Sequence, residues 1–404
     1  MDFSMMYHRA LESVFDSKDV LVLHDVNIDF LHLIDEESLR KALSTYQRSY
    51  PDSGRMREMV EKTIELASTS GGEIMIDDLR ESFNNFKPFL QKNSKNIIFT
   101  MGGNGGNVSL ALAKLGAKPH ISTVVRNDKY GRWIKAHLEE SGVQTDFLGV
   151  LEGNREEAMT FGIEIPGKDR GFLNDSTDMR EFRVSERARE HRFDAVLMLG
   201  LHKLKYGFET TLDFLEEMGR RSMVISDGGD YSSLSPRNME ILFEIFRKTD
   251  LCCMNESELR FCLKSLGIKE KIGYGFEDVM DNAIRFREAL ALKDLNIHTA
   301  LFSLDVTGNF MAALPTLEPE RVLVKTGAGD EYMAGKVMGF LQQDRDGRVG
   351  CLRSTAIGNI AAMLKLESGN FPTIEEMRER GKTIKVREGG KLALERFSAE
   401  QNIK

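Results

Sequence analysis

The chain is short of cysteine, proline and tryptophan, has no excess of basic residues and no long apolar run, and each shortage argues against a class of protein. The four cysteines, Cys252, Cys253, Cys262 and Cys351, form no Cys-x-x-Cys pair and no zinc spacing with histidine. A disulfide-built secreted scaffold and a zinc module are therefore not expected, and Cys252 and Cys253, inside the apolar run LCCM, read as buried thiols. The formal net charge is −8 with both signs mixed along the chain, which argues against a nucleic acid or an anionic membrane as the main partner but leaves room for a local phosphate pocket. No apolar run approaches the length of a bilayer span. The start, MDFSMMYHRALESVFD, carries Asp, Glu and His where a signal peptide has a basic start and an apolar core, so the expected location is the cytoplasm.

What is present is the balance of a globular chain: 41% hydrophobic and 29% charged residues over 404 positions, enough for a large domain and a smaller companion. The first strand signal spans residues 19–34, β-branched and Leu-rich, interrupted by Asp25, Asn27 and Asp29. From Glu36 to about Gln91 the pattern becomes helical (EESLRKALSTYQ and RMREMVEKTIELAS), punctuated by turns at Tyr50–Gly54 and Gly71-Gly72. Residues 96–117 then read as strand, glycine-rich turn and helix, and β-then-α order repeats from ISTVV (121–125) through AVLMLGL (195–201), SMVISD (222–227), DLCCMN (250–255) and NIHTALFSLD (296–305). That order predicts an α/β fold, a doubly wound, mostly parallel sheet with helices on both faces. The expected division is a large nucleotide-binding domain (1–34, 96–155 and 180–404) and a smaller, discontinuous lid domain (35–95 and 156–179), the latter including strands near MTFGIEIPG and KDRGFLND.

The sharpest motif is VKTGAGDEYMAGKV. Gly327, Ala328 and Gly329 let backbone approach a ligand closely, and the helix that follows aims free N–H groups at it, an anion hole suited to a transferring phosphoryl group. Asp330 at that helix start is placed to accept the proton of an attacking hydroxyl; a plain glycine turn with an N-capping Asp is the competing reading. The second motif, MGGNGGNVSLALAKLG, offers close backbone approach at Gly102 and Gly103, with Asn104 and Asn107 as amides able to hold sugar hydroxyls. It fits a dinucleotide fingerprint incompletely. Asn27 and Asp29, two apart at the end of an otherwise apolar strand, share one face where parallel sheets commonly bind ligands. Asp227, Asp230 and Glu258 lie just beyond strands, where Mg²⁺ and its waters could be held near phosphate oxygens; Asn255 with Glu258 is equally a capping box in outline. His298-Thr299 precedes the glycine turn, and a lone His is ordinarily structural.

Taken in order, these motifs resemble the ribokinase-like superfamily and, within it, the ADP-dependent sugar kinases, the glucokinases and phosphofructokinases. The order matches from about residue 20 to about residue 370, and the excursion of about seventy residues between Asp29 and Gly102, together with NIHT and NESE, points to the ADP-dependent branch. The resemblance implies a ribokinase-like fold whose smaller domain closes as a lid, a Mg²⁺-dependent transfer from ADP to a hydroxyl of a sugar or sugar phosphate, and these roles: Asp330 as general base with Gly327, Ala328 and Gly329 as anion hole; Asn27, Asp29, Gly102, Gly103, Asn104 and Asn107 on the sugar; Glu258, Asp227 and Asp230 on the metal side; His298, Thr299 and Asn255 beside the nucleotide. An ATP-dependent kinase of another polyol or nucleoside, and a sugar- or nucleotide-binding sensor without turnover, are the alternatives. The chain departs from that branch in carrying Gly228-Gly229-Asp230 where its members have His-x-Glu, Val324-Lys325-Thr326 before the glycine turn, and Glu331 directly after Asp330.

Overall fold

The computed structural model describes residues 3–401 except 13–15, 70–71, 77–79, 154–158, 167–169, 176–178, 180–181, 205–206, 220, 230, 232–233, 325 and 343–346. Fifteen strands are present among the described residues: β1 (Asp19–Leu23), β2 (Asn27–Leu33), β3 (Gly72–Met75), β4 (Asn96–Gly102), β5 (Lys118–Ser122), β6 (Val124–Arg126), β7 (Gly149–Leu151), β8 (Met159–Glu164), β9 (Arg170–Asn174), β10 (Ala195–Met198), β11 (Met223–Asp227), β12 (Leu251–Asn255), β13 (Asp294–His298), β14 (Phe302–Val306) and β15 (Met311–Pro315). They form an eight-stranded sheet of order β15-β14-β13-β12-β11-β10-β1-β5, a five-stranded sheet of order β3-β9-β8-β2-β4 and a short β6-β7 ribbon.

In the large sheet every neighbouring pair from β5 to β13 is parallel, and only β13-β14 and β14-β15 are antiparallel. Helices cover both faces of a parallel sheet, so its strands must be apolar throughout rather than alternating. That is the pattern of Val20–Leu23, Ala195–Met198 and Leu251–Met254, all buried. The segment 296–305, expected as one strand, turns back on itself: His298 pairs with Ser303, and Thr299 closes the turn by donating its hydroxyl to the Phe302 carbonyl at 2.8 Å.

The first strand signal divides in the same way, with larger consequences. β1 runs in the large sheet and β2 in the small one, so the single strand expected over 19–34 is two strands in two sheets. The junction is made by His24 (φ 75°) and Asp25 (φ 23°), a backbone conformation that costs a residue with a side chain of order 1–3 kcal/mol and persists only where its surroundings hold it. They do: the Asp25 carboxylate accepts from Lys203 Nζ at 2.8 Å and from the Asn104 backbone N–H at 3.1 Å, and the Asp25 carbonyl accepts from Gly106 N–H at 3.2 Å. β2 and β4 (residues 27–33 and 96–102), which the sequence reading assigned to the large domain, both run in the five-stranded sheet. That sheet and the helices Glu36–Ser49, Gly54–Thr69 and Arg80–Asn93 share a second hydrophobic core built on Phe30, Leu39, Tyr46, Phe83, Phe86 and Phe161.

The helix Ala328–Leu341 is buried along almost its whole length and is locked to the large sheet by a polar network. Lys336 Nζ donates to Asp305 Oδ1 at 2.6 Å and to Thr355 Oγ1 at 2.8 Å; Thr355 donates to Asp305 Oδ2 at 2.6 Å; Asn296 Nδ2 donates to Asp305 Oδ1 at 2.9 Å. Removing one partner of a buried ion pair leaves an uncompensated charge. Lys336→Met is expected to lower stability by about 3–5 kcal/mol in urea unfolding, and Lys336→Met with Asp305→Leu to recover most of that loss; a single variant within 1 kcal/mol of the parent would show the network carries little.

Candidate active site

Two helix amino ends meet at one carboxylate. Gly327, at φ 80°, turns the chain into the helix Ala328–Leu341, a left-handed conformation that glycine adopts without strain. The turn places Asp330 in the first helical turn, where the N–H groups of Ala328, Gly329 and Asp330 lie ahead of the first intrahelical bond, made by Glu331 N–H to the Gly327 carbonyl at 2.9 Å. Across from it, the helix Asn104–Lys114 presents Asn104 and Asn107, three apart and so on one face. Asn104 Nδ2 donates to Asp330 Oδ1 at 2.9 Å and Asn107 Nδ2 to Asp330 Oδ2 at 2.8 Å. The sequence reading places both amides on sugar hydroxyls; in the fold they donate to the Asp330 carboxylate.

The glycines of the same motif serve that approach. A Cβ on Gly105 would lie 2.4 Å from the His24 carbonyl oxygen and one on Gly103 2.4 Å from that of Asp25, so the helix start can nest against the His24–Asp25 junction only without side chains. A Cβ on Gly102 would likewise meet the Asp29 carboxylate, which lies against it. Close approach is required here of backbone to backbone, where the sequence pattern suggested backbone to ligand.

Burial raises Asp330 to about 6 against the lowering effect of the Asn107 and Asn104 hydrogen bonds; Asp25 adds to the rise and Lys203 opposes it. The carboxylate thus remains mostly ionised at neutral pH while holding a proton more readily than an exposed aspartate, the range suited to a general base.

Cavities open on both sides of the Gly327 turn. One, of about 430 Å³, is lined by Asp29, Thr100, Asn107, Thr326, Gly327 and Lys365 and is bounded by β2 and β4 of the small sheet. The other, of about 220 Å³, is lined by His298, Thr299, Ala328, Gly329, Tyr332 and Asn359. The structure therefore brings His298 and Thr299 to the cavity lined by Ala328 and Gly329, and Asp29 and Asn107 to the one lined by Gly327. His298 is held down to about 4 by burial, so its imidazole is neutral. Asn255 pairs in register with His298, but its side chain caps the helix Glu256–Ser265. Asn27 is buried in the small sheet, its amide donating to Thr160, and does not line the larger cavity.

On the metal side, Asp227 ends β11 almost fully buried, and burial followed by the charges of Glu258 and Asp330 drives its carboxyl well above the usual range. Glu258 is a helix cap: its Oε2 accepts the Asn255 N–H at 2.8 Å in a complete capping box. Asp230 lies outside the described residues. Among the described residues the three-membered group with metal-ligating geometry is elsewhere, at Asp19, His120 and His191, by the amino ends of β1 and β5.

The sequence reading overlooked Asp25 as a structural anchor, Lys203 as its partner, and Lys365 and Thr326 as cavity residues. An aspartate interrupting a strand is the available signal for the first; Lys203 carries none because its partner lies 178 residues away, and Lys365 none because its place beside the Gly327 turn is set by tertiary packing.

Comparison with known proteins places the chain in a family and a fold. Residues 69–371 match the profile described as pfkB family carbohydrate kinase. A 5-dehydro-2-deoxygluconokinase of Clostridium botulinum is 22% identical over 326 residues, covering 74% of this chain and 90% of the relative. Among solved structures, the Arabidopsis thaliana ribokinase complexed with ribose and ATP superposes with a TM-score of 0.64 at 16% identity, over 91% of this chain and 99% of that one. A Cryptococcus neoformans ribokinase in complex with ADP gives 0.63 at 17% identity, over 90% and 100%. These likenesses establish the ribokinase-like fold. The narrower resemblance to ADP-dependent sugar kinases is not supported by these matches, which run to the broader family. With its profile spanning well over half of the sequence, the chain belongs to the pfkB family of carbohydrate kinases, phosphotransferases acting on sugar hydroxyls.

Proposed function

We propose that the chain transfers the γ-phosphoryl group of ATP to a hydroxyl of a sugar or sugar derivative, with Asp330 as the base. The observation that carries this reading is a buried, amide-held carboxylate in the first turn of a helix whose start, with its free N–H groups, lines one cavity at Gly327 and the other at Ala328 and Gly329. The acceptor occupies the larger cavity against Asp29 and Asn107, and the nucleotide the smaller one against His298 and Thr299. Asp330 takes the proton as the hydroxyl oxygen bonds to the γ-phosphorus; the bond from that phosphorus to the β,γ-bridging oxygen breaks, and ADP leaves. The N–H groups of Ala328 and Gly329 hold the charge on the phosphoryl oxygens in transit.

Mg²⁺ fits this arrangement because Asp227 is raised by burial and then by the charges of Glu258 and Asp330, and a divalent ion would offset both effects. Asp227 and Glu258 would hold it with its waters and the nucleotide phosphates; bound there, it supplies countercharge to the phosphates. ATP replaces ADP as the proposed donor because the family profile is that of the broader pfkB kinases and one of the similar structures is a ribokinase complexed with ribose and ATP. The intact Asp330 geometry favours turnover over a sensor that only binds.

Asp330→Asn, nearly isosteric, is expected to lower kcat by about 10²–10⁴-fold while melting no lower than the parent; near-normal turnover by the folded variant would remove the assignment. Because the base must be ionised, kcat/KM of the parent is expected to fall tenfold per pH unit below about 6, the value to which burial raises Asp330. The variant's residual activity should lack that limb. A donor panel of ATP, ADP and pyrophosphate with Mg²⁺ and a range of sugars and sugar phosphates checks the donor: higher turnover with ADP than with ATP would reverse it.

A further inference from the structure

Lys365 has no part in the scheme above, yet it is a charged group 7% exposed beside the reacting atoms. It lies near the end of the helix Arg348–Ser368, where its ammonium donates to the Gly369 carbonyl at 3.0 Å and rests 3.8 Å from the centre of the Phe371 ring. Lysines are seldom buried unless paired, and among the described residues no carboxylate forms an ion pair with this one. Its near acids, Glu331 and Asp330, act on it through space. Glu331 is itself fully buried, with neither carboxyl oxygen hydrogen-bonded, and burial raises it to about 8, so at neutral pH it is mostly uncharged. An ammonium with donors to spare and no full counterion faces space that an anion enters during the reaction.

The position narrows which anion. A Cβ on Gly327 would lie 3.3 Å from Lys365 Cε and 4.0 Å from its Nζ, and the same point is 4.0 Å from Asp330 Oδ2. Lys365 lines the acceptor-side cavity, while its neighbours Met363 and Leu366 line the nucleotide-side cavity. The charge therefore abuts the turn where the two cavities adjoin. Asp29, in the same acceptor cavity, favours hydroxyls over anionic groups there.

Resting on the kinase reading, we infer that Lys365 is a further charge-stabilising residue of the transfer step: its ammonium, braced by Gly369 and Phe371 against the Gly327 turn, balances negative charge on the phosphoryl group in transit. Burial lowers its pKa and the nearby Glu331 and Asp330 oppose that, and its role is as a charge, with no proton exchanged with substrate. A group that acts on the charge in transit affects kcat more than acceptor KM.

The test uses the full chain with ATP, Mg²⁺ and the best acceptor of the panel. Lys365→Met is expected to lose about 10²-fold in kcat, the size of loss seen when one donor of an oxyanion hole is removed, with acceptor KM within about twofold. Lys365→Arg should retain at least a tenth of the turnover. Lys365→Ala should regain activity with methylammonium chloride but not with sodium chloride at equal ionic strength. Unchanged kcat in Lys365→Met overturns the inference. So does a rise in KM confined to carboxylate- or phosphate-bearing acceptors, which would make Lys365 an acceptor-recognition residue. A loss that follows the melting temperature and answers to neither Arg nor methylammonium would make it a helix-end clip, and also overturns it. A second readout does not depend on the acceptor: calorimetric binding of ADP alone and of ADP with aluminium fluoride, an anionic mimic of the phosphoryl group. Lys365→Met should weaken only the second, by about 10²-fold; equal effects on both would overturn the role. If no acceptor is turned over by the parent, yet the aluminium fluoride difference holds, it is the kinase reading that fails and not the assignment of Lys365.

Discussion

The grip of Asn104 and Asn107 on the two oxygens of Asp330 is the constraint on which the rest of the site depends. It joins a helix that follows β4 of the small sheet to a helix anchored in the large sheet, so Asp330 links the two sheets' helices. Two opposing effects set its character. Removal from water disfavours the carboxylate, and two amide donors restore it, leaving a group near the middle of the useful range for accepting a proton. Either effect alone would give an acid that never ionises or a base too weak to act.

Strain and space elsewhere serve that contact. The chain must leave the large sheet after Leu23 and enter the small one at Asn27, and it does so through two residues with positive φ that are not glycine. The buried Asp25–Lys203 pair and the backbone N–H groups of Asn104 and Gly106 hold this junction. The same two N–H groups belong to the helix that delivers Asn104 and Asn107. One packing arrangement therefore holds the strained backbone and aims the amides, which ties the stability of the junction to the placement of Asp330. The Lys336–Asp305–Thr355 network performs the matching task for the other helix, holding its third turn to β14 of the large sheet.

Much of the fold could be read along the chain because parallel strands buried on both faces have to be uniformly apolar, and runs such as AVLM and LCCM have no other ready explanation. The glycine turn before Asp330 was legible for a similar reason: a left-handed residue opening a helix asks for glycine, and the free N–H groups follow from helix geometry. The division between β1 and β2 was not legible. Polar residues interrupt the apolar run there, but nothing local marks His24 and Asp25 for positive φ; partners at positions 104, 106 and 203 hold it. The same separation explains why the two asparagines were assigned to substrate, since an amide's partner cannot be inferred when it lies 226 or 223 residues away.

By itself the sequence determined the α/β class, the parallel core, the helix start at Gly327 and the acidic residue that follows it, because these rest on periodicity, on backbone conformations open to few residues and on unsatisfied groups at helix ends. Only the tertiary structure decided what Asp330 is bonded to, why the glycines before Asn107 must be bare, and that Lys203 and Lys365 stand beside the site. Those depend on distances between segments hundreds of residues apart, and burial, which sets both the charge of Asp330 and the cost of leaving Lys365 without an acid, exists only once those segments have packed.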